Sequence, residues 1–146
     1  MKAYTFLPII LLLTALCSCK TSKNSTLETP FVTVVKLIDA EKSLKFEKAQ
    51  EYIDVIQVYS KLGSEQPMED WKKMLTFNYN LGKDKKFNNN FGYYDYDIIE
   101  KISGHTAEVL FKSKDPDANL QEIQYTLQLI DKQWIVIGIN YLKINK

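Results

Sequence analysis

Helices first and an antiparallel sheet afterwards: the sequence predicts an α+β domain on three observations. Between Pro30 and Leu81 apolar residues recur at three- and four-residue spacing, the period of a helix with one buried face. From Tyr96 onward apolar and polar residues alternate, the period of half-buried strands. Ser103-Gly104, Asp115-Pro116-Asp117 and Asp131-Lys132-Gln133 cut that second half into four short stretches. Such helices and such a sheet bury their apolar sides against each other, so the helices are expected on one sheet face.

Thr29-Pro30 opens the first helix, because Thr can cap and Pro suits the first helical position. Phe31, Val34, Val35 and Ile38 carry its stripe to about Glu41, and Lys42 to Lys45 make a corner. A second helix is predicted from Phe46 to Leu62, with Phe46, Ala49, Ile53 and Ile56 on one stripe. Tyr52, Val55, Tyr59 and Leu62 lie beside it, and Gly63 is the C-terminal cap. The third runs from Pro67 to Leu81, aligning Met68, Trp71, Leu75 and Asn78, and ends at Gly82. Lys83 to Tyr94 has no period and reads as a loop or ragged edge strand.

Tyr96 to Ile102 and Thr106 to Lys112 are predicted to pair across Ser103-Gly104. Ile123, Tyr125, Leu127 and Leu129 alternate with Gln124, Thr126 and Gln128, the clearest half-buried strand. Trp134 to Leu142 is apolar on both faces, so a central or helix-covered position is expected.

Composition excludes several chemistries. The chain has 19 Lys+Arg, all of them Lys, against 18 Asp+Glu. Without arginine it lacks the planar fork that grips phosphates, and a near-neutral charge gives nucleic acid no basic face. A single histidine, His105, cannot build a histidine-rich metal site, and no cofactor loop is visible. Aromatic residues are the rich category, with nine Tyr, seven Phe and two Trp.

The start of the chain, Met1 to Cys19, has Lys2 and then a run without charge from Tyr4 to Leu16. At ~1.5 Å per residue that run spans about 20 Å, short of the roughly 30 Å a membrane-crossing helix needs. A basic start followed by a short apolar run is the pattern of a secretory signal peptide. Leu16-Cys17-Ser18-Cys19 resembles a bacterial lipobox, which implies cleavage before Cys19 and lipidation of its sulfur. Cys17 fits less well, since Thr14 and bulky Leu16 would then flank the cut. Two or three acyl chains, as the resemblance implies, would hold the protein on a membrane permanently. The expected organisation is a signal peptide over 1–18, the lipidated Cys19 with a polar tether over 19–29, and one domain over 30–146. That domain would have no free thiol or disulfide. Lys20 after the cysteine is permissive for the outer membrane, and the tether lacks an acidic surface-display cluster, so the periplasmic face is expected.

Thr29-Pro30-Phe31-Val32, Lys45-Phe46-Glu47-Lys48-Ala49, the helix centred on Trp71, and the closing hairpin through Trp134 together resemble the NTF2-like superfamily. More narrowly, they resemble small bacterial lipoproteins of that group. The resemblance covers residues 29 to 142 and implies a curved sheet wrapped on helices around a conical cavity. A cystatin-like fold, one helix on a curved sheet, is the nearest rival. The catalytic Tyr/Asp set of that superfamily has no matching surroundings here, so it is not carried over.

The candidate site residues differ in what their surroundings supply. His105, at a hairpin tip, has no predictable carboxylate beside it. Asp95 and Asp97 share a strand face and read as an exposed edge more readily than as a cation site. Trp134 and Tyr125 read as core. Trp71, Tyr79, Phe87, Phe91, Tyr93 and Tyr94 are the candidate surface for a ligand or partner, the last four crowded into one polar loop. The expectation is a non-catalytic, lipid-anchored envelope protein with no cofactor. It would bind a small ligand or an envelope protein, and no nucleic acid. The alternatives are a cavity isomerase or hydrolase using an Asp or Tyr, and an accessory subunit of an envelope complex.

Overall fold

The computed structural model describes residues 27–83, 93–118 and 120–142. The predicted signal segment and its Cys19, most of the tether, and Phe87 and Phe91 lie outside the described residues.

Four helices precede an open antiparallel sheet. Helix α1 is Pro30–Lys42, α2 Phe46–Ala49, α3 Val55–Lys61 and α4 Pro67–Lys83, followed by a 3-10 turn at Tyr93–Asp95. Strands β1 (Tyr96–Ser103), β2 (Thr106–Ser113), β3 (Glu122–Ile130) and β4 (Gln133–Leu142) lie in the order β1-β2-β3-β4. The predicted α+β class is therefore the observed one.

Thr29 caps α1 as expected, its Oγ1 accepting from the Val32 N–H at 3.3 Å. Thr33, Val34, Leu37, Ile38 and Ala40 then form the buried stripe that lies against β2 and β4. Phe111, fully buried on β2, is the aromatic hub of the core. Rings of Phe31, Tyr93, Tyr96 and Tyr125 lie 6.2, 6.4, 6.2 and 5.7 Å from it. Trp71 of α4 is also wholly buried, with the Phe46 ring edge-on at 5.6 Å.

Three sequence readings are corrected. The helix expected over Phe46 to Leu62 is two short helices, because Tyr52–Asp54 leaves the helical path to pair with β4. Ile53 bridges Val136, the Val136 N–H donates to the Tyr52 carbonyl at 2.8 Å, and the Asp54 N–H donates to the Val136 carbonyl at 2.9 Å. Asp54 then caps α3 by accepting from the Gln57 N–H at 2.9 Å. Gly82 does not end the third predicted helix, which continues to Lys83. The first hairpin turns on Gly104-His105, not Ser103-Gly104, with Ser103 paired to Thr106 and Gly104 at φ 60°. Strand β4 takes the second of its two expected positions: it lies at the sheet margin with α1 and α3 packed against it.

Candidate functional site

Where the last turn of α1 meets the second half of α4, the two helices leave an open cavity of about 600 Å³ over the start of β3 and the end of β4. That lies within the size range of small-molecule sites, roughly 300–1,000 Å³. Ile38, Met74, Leu75 and Ile123 supply apolar wall. Glu41, Tyr125 and Tyr141 supply the polar pole, while Lys42, Asn78, Tyr79, Gly82 and Lys83 complete the lining. Ile123 and Tyr141 are register partners, and Tyr125 is two residues along, so all three project from one sheet face.

Glu41 is the chemically distinctive group. It follows Val34 and Ile38 on the buried side of α1, at spacings of four and three, so the helix carries a carboxyl into the apolar layer. The Trp71 indole N–H donates to its Oε1 at 2.8 Å. Burial pushes the carboxyl up to about 7, opposed in part by that hydrogen bond. A carboxylate in the last turn of a helix also faces the negative end of the helix dipole.

Three phenols surround this group electrostatically. Burial raises Tyr125 well above the ordinary phenol value, with Tyr141 and Glu41 adding to the shift. Tyr141 is pushed up to about 12 by burial and by Glu41, and Tyr59 is raised by burial, Glu41 and Tyr141. All three phenols therefore stay neutral near pH 7, able to donate and accept hydrogen bonds. The Lys83 ammonium lies 4.2 Å from the centroid of the Tyr79 ring, at the α4 side of the cavity.

Of the residues singled out from sequence, the structure brings Tyr79 to the cavity lining, and Trp71 beneath it as the donor that holds Glu41. Tyr125, read as core, is buried and also lines the cavity. Tyr93 lies elsewhere, its hydroxyl donating to the Asp39 carboxylate at 3.5 Å, and Tyr94 is 92% exposed. His105 is exposed at the β1–β2 turn. Asp95 and Asp97 are exposed too, Asp97 lying 3.7 Å from the Lys114 ammonium. Among the described residues no group of three or more His, Cys, Asp or Glu could hold a metal, and no helix is long and apolar enough to cross a membrane.

Sequence reasoning passed over Glu41. Its signal was available: an acidic residue in phase with an apolar stripe, where the stripe should have ended in solvent.

Comparison of the chain with protein-family models, with curated proteins and with solved structures finds no match.

Proposed function

We propose that the chain is a lipid-anchored envelope protein whose domain holds a small ligand in the Glu41 cavity without transforming it. The single observation that carries this reading is a half-buried carboxyl, fixed by the Trp71 N–H at 2.8 Å, set at one pole of a cavity whose wall is part apolar and part polar. Such a site favours a compact apolar molecule with one or two hydrogen-bonding groups. The apolar body would lie along Ile38, Met74 and Ile123, and the polar head against Glu41 and the Tyr125 and Tyr141 hydroxyls. Helices over one face of a four-stranded antiparallel sheet, with a cavity at one end, support the NTF2-like likeness. Anchoring through Cys19, on the periplasmic face of the outer membrane, rests on the Leu16-Cys17-Ser18-Cys19 pattern.

A second reading, proton transfer by Glu41 within the cavity, is favoured by the value of about 7 for its carboxyl, which suits a general acid or base. Glu41 is the one carboxyl among the described lining residues, and no histidine accompanies it, which supports binding over acid–base turnover.

Titration of the full-length protein in lipid nanodiscs with the neutral fluorescent phenol 2-naphthol, read as the difference from protein-free nanodiscs, tests the binding reading. Asn78 is an exposed α4 residue at the lining, so Asn78→Trp fills the opening without touching the core. The expected result is saturable dye binding that Asn78→Trp abolishes. Non-saturable binding, or binding that the tryptophan leaves intact, overturns the reading.

A further inference from the structure

The two margins of the sheet are treated differently. On the β4 margin Tyr52 and Asp54 hold Val136 through two backbone hydrogen bonds, whereas among the described residues no strand pairs the outer edge of β1. Every β1 residue from Asp97 to Ser103 is exposed, including Ile98, Ile99 and Ile102 at 37, 42 and 55%. An uncovered strand edge carrying three isoleucines is a template for another strand. We propose that β1 pairs antiparallel with β1 of a second copy, about a two-fold axis through Ile99, joining the two sheets into one.

Charge selects this occupant and this register. A two-fold axis perpendicular to the sheet keeps each residue on its own face, so opposed residues must come from the same face of β1. Centring on Ile99 sets Asp97, which also lies 3.7 Å from Lys114 of its own copy, against Lys101 of the second copy, twice, and Ile99 against itself on the face away from the helices. On the helix side it sets Tyr96 against Ile102, and Ile98 against the methylenes of Glu100. The Glu100 carboxylate is already engaged there, accepting from the Phe31 N–H at 2.7 Å. Centring one residue further on would set Glu100 against Glu100, and like charges directly opposed destabilise a strand pair. Centring on Ile98 pairs only residues 96–100 of the strand. This inference is independent of the Glu41 cavity.

Oxidative cross-linking of the full-length chain in native membranes tests it. Directly opposed residues of antiparallel strands have Cα atoms roughly 4.5–5.5 Å apart, within disulfide reach. Ile99→Cys is expected to give a disulfide-linked species of twice the chain's mass, well above the wild-type background. Adding Asp97→Lys is expected to abolish that species, and adding Lys101→Asp as well is expected to restore it. A second variant keeps Ile99: Asp97→Cys with Lys101→Cys links two copies, and neither single change does. Far-UV circular dichroism of each purified variant confirms that it is folded. Cross-linking no stronger than wild type in folded variants, indifference to the charge changes, or an adduct with a different protein overturns the proposal. So does protection of β1 by another segment of the same chain, seen as an intramolecular cross-link.

Discussion

Below pH 4.5, the ordinary value of the group, the Glu41 carboxyl is protonated in the folded and the unfolded chain alike. Between there and about 7 only the folded chain keeps the proton, and above about 7 the folded chain must hold a desolvated charge. Stability from this group is therefore complete in acid and is lost as pH rises through that window. The difference between the two values corresponds to about 3 kcal/mol. Glu41→Gln keeps an oxygen to accept from the Trp71 N–H and has no charge to desolvate. Urea unfolding at pH 8 is expected to find the variant more stable than wild type by up to about 3 kcal/mol, with the gain gone at pH 4. An equal gain at both values would mean that the carboxyl is not held as described. The residue was legible in sequence as an in-phase acid. Its partner was not, because Trp71 lies 30 residues away and their meeting depends on how α4 crosses α1.

Turns and helix ends decide the elements. The β3–β4 hairpin turns on Asp131 and Lys132, with φ of 47° and 65°, the left-handed pair of a type I′ turn. Asp tolerates that region better than Lys, which has no short polar group to bond locally. Lys132→Gly is expected to raise stability by about 1 kcal/mol, read as a higher midpoint in thermal unfolding. A lower midpoint would mean that the lysine side chain stabilises the turn more than its backbone strains it. Strand spacing, the cap at Thr29 and the turn at Asp131-Lys132 were readable locally, since period and turn chemistry are local properties. The break after Ala49 was not readable. Tyr52 and Ile53 continue the two apolar stripes and are drawn out of the helix where Tyr52 and Asp54 hydrogen-bond to Val136, over 80 residues on.

At the scale of the whole molecule, membrane attachment and the cavity are separable parts of the account. If Cys19 carries the lipid, Cys19→Ala is expected to move the protein from the detergent phase to the aqueous phase, or to leave it unprocessed. Unchanged partitioning would remove the anchor and leave the cavity untouched. The α+β layering was legible because binary patterning largely determines fold class. The cavity was not, since it is the space left where two helices diverge above the sheet end, and no single segment encodes it. The central claim is that this space holds a desolvated carboxyl. Carbon-13 NMR of the Glu41 side-chain carboxyl, followed from pH 3 to pH 9 in the full-length protein, measures it directly. The account predicts a midpoint of about 7, and a midpoint at the ordinary 4.5 would contradict it.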